Sequence, residues 1–90
     1  MTPKPLRIAV VMDPIEDIKP RKDTTLAMLL AAQRRGWELH YLEMGGIWLR
    51  DGVAMGRAHP LGVREHDSDW FTRSEPVVTR LGDFDAILMR

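Results

Sequence analysis

Asp13 stands at the end of an apolar run and directly before a proline, in the segment Met12-Asp13-Pro14. A carboxylate held there could accept hydrogen bonds from the amine of a small substrate. The same residues also have a structural reading, in which Asp13 caps the loop and Pro14 fixes the direction in which the chain leaves. Further on, Asp23-Thr24-Thr25 opens a helical pattern. The exposed N–H groups of a helix start, and its positive dipole end, can receive a carboxylate or a phosphate. Asp23 is itself an anion and a good N-cap, so capping is its first role. Contact with a substrate then falls to the hydroxyls of Thr24 and Thr25.

Other chemistries find little support. There is no cysteine, which excludes disulfides and thiol catalysis within the chain. His40, His59 and His66 have no metal-ligand spacing, and no metal site is expected. Gly45-Gly46 is not a phosphate loop, since neither GxGxxG nor GxxxxGK[ST] occurs. Arg34 and Arg35 read as the solvated end of a helix, where the dipole favours cations. Trp37, Trp48 and Trp70 read as core or interface aromatics, and methionines such as Met28 and Met89 as gap-fillers.

Ninety residues suffice for one small domain. Lys+Arg and Asp+Glu number 13 each, so the formal net charge is zero. That argues against a general nucleic-acid or anionic-membrane surface, which needs a basic excess. No run approaches the ~20 apolar residues of a membrane span, and the short apolar stretch before Asp13 is no signal peptide. A soluble, cytoplasmic protein is the expectation.

The elements that must position these residues follow from pattern. Residues 1–5 read as a flexible tail with two prolines. Residues 6–12 are rich in Ile and Val and read as a strand covered on both faces, the parallel-sheet pattern. Pro14 ends it. Residues 23–35 form the clearest helix: Leu26, Leu29, Leu30 and Gln33 keep the three-four spacing, and Gly36 supplies the stop. Residues 37–42 alternate and read as a second strand, which completes a crossover unit. Ile47–Arg50, Asp51-Gly52 and Val53–Met55 read as a hairpin. Residues 59–64 and 70–78 are further strand candidates, and no helix is assigned at 76–81. Residues 84–89 form a last apolar strand.

At Met12-Asp13-Pro14, Lys22-Asp23-Thr24-Thr25, Gln33-Arg34-Arg35-Gly36, Glu38-Leu39-His40-Tyr41 and Asp85-Ala86-Ile87-Leu88-Met89-Arg90 the sequence resembles the N-terminal domain of prokaryotic glutathione synthetases. The likeness is weaker between residues 47 and 80. It implies an α/β, Rossmann-like pre-ATP-grasp fold. Its core strands at 6–12, 37–42 and 84–89 would run parallel, with one crossover helix at 23–35 and a strand-rich insertion at 47–80. Residues 6–90 would form a single domain, truncated before the ATP-grasp domains. The family's reaction joins γ-glutamylcysteine to glycine with ATP and magnesium. The resemblance implies that this chain lines the peptide side of the cleft with Met12, Asp13, Pro14, Thr24 and Thr25. It implies no cofactor bound by this chain and no activity of the chain alone. As partners it implies the rest of a ligase, a homo-oligomer, and weak binding of γ-glutamylcysteine or glutathione.

One physical expectation stands beside the resemblance. Ile8 to Val11 are apolar on both sides of a sheet, yet only one convincing helix is present to cover them. The second face should therefore be covered by missing chain, by another copy, or by the hairpin region folding back. A stand-alone assembly domain that uses such a bare face is the alternative function.

Overall fold

The computed structural model describes residues 6–12, 14, 15, 24–64 and 69–89, with only the backbone of Thr24 and Thr25. Seven strands and one α-helix appear among these residues, in the order β1 (Arg7–Val11), α1 (Thr24–Arg34), β2 (Glu38–Leu42), β3 (Ile47–Arg50), β4 (Val53–Val63), β5 (Phe71–Arg73), β6 (Val77–Arg80) and β7 (Ala86–Met89). Short 3-10 turns at Met44–Gly46 and Leu81–Asp83 precede β3 and β7. The expected tail at 1–5 lies outside the described residues.

β1 pairs in parallel with β2 on one side and with β7 on the other. The other four pairings, β2 with β4, β3 with β4, β4 with β5 and β4 with β6, are antiparallel. The three expected core strands do pair in parallel, but the sheet as a whole is not the parallel sheet of a Rossmann-like fold: this is a mixed α/β fold with a largely antiparallel sheet. The reason is β4. Its eleven residues run without a break through what had been read as a hairpin arm and a separate strand at 59–64. At Leu61 its partners are Leu39 and Arg73; at Gly56 they are Ile47 and Thr79. One long strand thus holds two pairs of neighbours, and they outnumber the parallel rungs.

Proline is normally confined to edge strands, first strand residues or bulges. Pro60 nevertheless sits opposite His40 in β4. Its carbonyl accepts from Ser74 N–H at 2.9 Å, in the gap between β5 and β6. The N–H that proline lacks would point the same way as that carbonyl, toward a gap where the ladder is already broken. The same gap splits the expected strand at 70–78 into β5 and β6. The hairpin turn follows the sequence signal closely: Asp51 and Gly52 have φ of 51° and 79°, the positive pair that a tight two-residue turn demands.

α1 ends as its sequence dictates. Gly36 takes φ 78°, its N–H reaches Gln33 C=O at 2.9 Å, and Trp37 N–H reaches Ala32 C=O at 3.2 Å. These two bonds satisfy carbonyls that the last turn leaves open. The helix buries Leu26, Leu29 and Ala32 against Ile8, Val10, Leu39, Tyr41, Leu61 and Val63. Gln33, counted in the sequence among the apolar positions, does something else. Its side-chain amide donates to Val63 C=O at 2.7 Å and accepts from Val63 N–H at 2.8 Å, clamping the end of β4 to the helix.

The second face is not bare where it was expected to be. Ala9, Val11, Leu42 and Ala58 are buried there beneath Phe84, with Ile47 and Leu81 packed at the margin. Phe84 is the reason: residues 84 and 85 precede β7, which begins at Ala86 rather than at 84 as expected. The Phe84 ring is therefore free to fold over the sheet instead of alternating within a strand. Gly56 makes room for this packing, since a Cβ there would come within 2.5 Å of Leu42 Cδ2 and 3.0 Å of Leu81 Cδ2. Farther out, on β7, the face stays open: Ile87 is 38% and Met89 62% exposed.

Candidate functional site

The parallel strands β1 and β2 both finish at the same end of the sheet, where ligands bind in open α/β sheets. β1 continues one rung beyond its last strand residue, with Met12 N–H donating to Leu42 C=O at 3.1 Å. The chain then turns away at Pro14, which is exposed, and returns to the core at Ile15, which is buried. Ile15 N–H donates to the phenolic oxygen of Tyr41 at 3.0 Å. That hydroxyl in turn donates to Glu43 Oε1 at 2.8 Å. Tyr41 is 0% exposed, so its ring is core and its hydroxyl is the only polar group it brings inside. Glu43 is exposed and begins the 3-10 turn at Met44–Gly46.

The sequence-based site residues fall around this mouth in different ways. Met12 is 3% exposed and packs in the core with Ile15 and Tyr41, so its side chain supports the mouth from beneath. Pro14 is at the surface. Thr24 begins α1, with Thr25 in its first turn. Asp13 and Asp23 lie outside the described residues. Tyr41 and Glu43 were not singled out in the sequence. The signal was present: alternation placed Tyr41 on the buried side, and a buried phenol needs a partner for its hydroxyl. What the alternation does not show is which backbone group that partner is.

A second polar group lies at the opposite end of the sheet. Arg7 Nε stands 3.3 Å from Glu38 Oε2, and Arg7 Cζ lies 5.2 Å from the centroid of the Phe84 ring. Asp85 caps the edge: Arg7 N–H donates to Asp85 Oδ2 at 2.7 Å, and Asp85 N–H donates to Arg7 C=O at 2.8 Å. Arg7, Glu38, His40, Trp37 and Pro60 line an open cleft of about 460 Å³. His40 packs on Phe84 with ring centroids 5.1 Å apart. Its Nε2 is 3.9 Å from Glu38 Oε2, an electrostatic contact too long for a hydrogen bond. Neither ring nitrogen has a hydrogen-bond partner among the described residues.

Burial pushes the His40 imidazole below its ordinary value of 6.5; the Arg7 guanidinium adds to that, and Glu38 opposes it. A histidine lowered in this way stays neutral in the fold while the unfolded chain takes up its proton near 6.5. Stability is therefore full above that pH, falls as pH drops through the window between the unfolded and the folded values, and levels off below. Urea midpoints measured from pH 7.5 downward should decline over that window in the parent chain. In His40→Leu the decline should flatten, and an undiminished slope in that variant would assign the effect to other groups.

Among the described residues the chain is a mixed α/β unit with one α-helix, in which the parallel strands β1 and β2 end on the same side. A family model for the N-terminal domain of prokaryotic glutathione synthetase matches residues 6–90, and this chain belongs to that family. It is 52% identical over 85 residues to the glutathione synthetase of Xanthomonas axonopodis pv. citri. It is 47% identical over 85 residues to that of Yersinia pestis and 45% over 85 residues to that of Escherichia coli. Each match covers 94% of this chain, which spans 27% of the length of these relatives.

Proposed function

We propose that this chain forms the peptide-side wall of the substrate cleft in a glutathione synthetase, an ATP-dependent C–N ligase that joins γ-glutamylcysteine to glycine. The match over residues 6–90 carries the reading. The strand-end mouth supports where the wall lies: the chain leaving β1 at Met12 and Pro14 and the first turn of α1 at Thr24 and Thr25. A peptide laid there meets backbone N–H groups of a helix start for its carboxylates, and Asp13 is the proposed carboxylate for its amine. The Rossmann-like description fits the β1–α1–β2 unit, which is the part of the sheet that makes the mouth. A homo-oligomer and a cytoplasmic location belong to the same proposal.

ATP and magnesium, which the family's chemistry uses, do not fit the residues described. No three carboxylate or histidine side chains gather among them to hold a cation. Gly45 and Gly46 close a 3-10 turn and form no phosphate loop. No step involving either group is assigned to this chain, whose part is to bind and orient the peptide.

Calorimetric titration tests the proposal. The chain should take up γ-glutamylcysteine and glutathione weakly, with little heat from glycine alone or from ATP. Silence toward both peptides at millimolar concentration would count against a peptide wall in these residues.

A further inference from the structure

We propose that Tyr41 and Glu43 are positioning residues for this wall, the phenol holding the backbone of Ile15 in place and the carboxylate holding the phenol. The inference rests on reading the strand-end mouth as the peptide site. Between Met12 and Ile15 the chain leaves the sheet. Met12 N–H makes the last rung, to Leu42 C=O. Pro14 has no N–H to offer. The next described backbone donor is Ile15 N–H, and a side chain from the neighbouring strand accepts it at 3.0 Å.

A phenol has one proton and can also accept. Because it accepts from Ile15, its own proton is available for Glu43, at 2.8 Å. The three groups form a chain that ties the exit of β1 to the exit of β2, the two strand ends that make the mouth. Satisfying a buried hydroxyl requires only one partner. Here the hydroxyl joins two segments that, among the described residues, no ladder bond joins beyond Met12. Charge assistance from the carboxylate strengthens the link and fixes the direction of the phenol proton. Pro14, exposed on the same short segment, is then presented from an anchored point, with Ile15 as the anchor.

The test uses the 90-residue chain and three variants, with two readouts: amide hydrogen exchange at Ile15 relative to Val10, and affinity for γ-glutamylcysteine. Tyr41→Phe should speed Ile15 exchange about tenfold, the loss of roughly one hydrogen bond, with Val10 unchanged. It should weaken the peptide severalfold. Glu43→Gln keeps an acceptor for the phenol and should hold both readouts within about twofold of the parent. Glu43→Ala should shift both in the direction of Tyr41→Phe, by less.

Parent-like exchange at Ile15 in Tyr41→Phe overturns the link. Faster exchange with unchanged peptide affinity overturns the positioning role. If Tyr41→Phe loses Val10 protection as well, it has failed to fold, and Glu43→Ala decides: parent values for both readouts overturn the inference. A parent chain silent toward the peptide sinks the peptide-wall reading and this inference with it. That result differs from a parent that binds and variants that bind equally, which removes the positioning role alone.

Discussion

Replacing Phe84 by alanine is expected to lower folding stability by about 3–5 kcal/mol, the usual cost of deleting a core aromatic. The lower end is the better expectation, because Phe84 is 8% exposed and the space left can open to solvent. A domain of this size has roughly 5–13 kcal/mol in all, so the loss is a large share. The physical content is specific. The second face of the sheet presents Ala9, Val11, Leu42 and Ala58, and the Phe84 ring is the large buried side chain over them. Without it those residues meet water, and His40 and Arg7 lose the ring on which they pack. Phe84→Leu should recover most of the loss, since it keeps an apolar side chain of similar reach. Urea denaturation of the two variants checks this. A change below about 1 kcal/mol in Phe84→Ala would mean that the second face is not sealed by this ring.

Leu29→Ala should destabilise by about 2–5 kcal/mol through the opposite face. Leu29 is 1% exposed and lies in the cluster that joins the helix to β1, β2 and β4. Leu29 is almost fully buried in the cluster that holds Val10, Tyr41, Leu61 and Trp70, so little of the cavity can open to solvent and the upper half of the range is expected. Because α1 packs on the strands that form the mouth, the same variant should loosen the helix start. Exchange at helix amides should rise with the fall in global stability. An unchanged urea midpoint would show that the helix is not the main cover of this face.

Local signals in the sequence carried much of the fold. The three-four spacing of Leu26, Leu29 and Leu30 with Gly36 as a stop marked α1 to within a residue at each end, because periodicity and the C-terminal cap agree. Asp51-Gly52 marked the turn between β3 and β4 for an equally local reason. The non-local features were not legible. Residues 53–55 and 59–64 read as separate strands, and only the pairings with distant strands show that β4 runs through both. Phe84 read as a strand residue because its neighbours are apolar, and only the pairing of Ala86 with Ile8 shows where β7 begins. The expected shortage of cover on the second face followed from counting helices. Over Ala9, Val11, Leu42 and Ala58 the sheet is shielded by an aromatic ring and two flanking aliphatic side chains, which no count of elements includes, while Ile87 and Met89 on β7 stay exposed.

For the site, the sequence showed where β1 ends but not how deeply each residue there is buried. A strand that runs into Met12-Asp13-Pro14 must end at the mouth. Yet Met12 continues the inward alternation set by Ile8 and Val10 and turns into the core. Tyr41 and Glu43 escaped notice because their role comes from a hydrogen bond spanning 26 residues, between Ile15 and Tyr41. Gln33 was misread for a similar reason: at an apolar position of the helix, its amide completes the open end of β4 at Val63.

The peptide-wall account is tested most directly by following the backbone amides of the isotope-labelled chain while γ-glutamylcysteine is added. The account predicts that shifts concentrate at Met12, Ile15, Thr24, Thr25 and Glu43, at the carboxyl ends of β1 and β2, with Arg7, His40 and Asp85 at the other end unmoved. Shifts centred on the Arg7–His40 cleft, or none at saturating peptide, would contradict it.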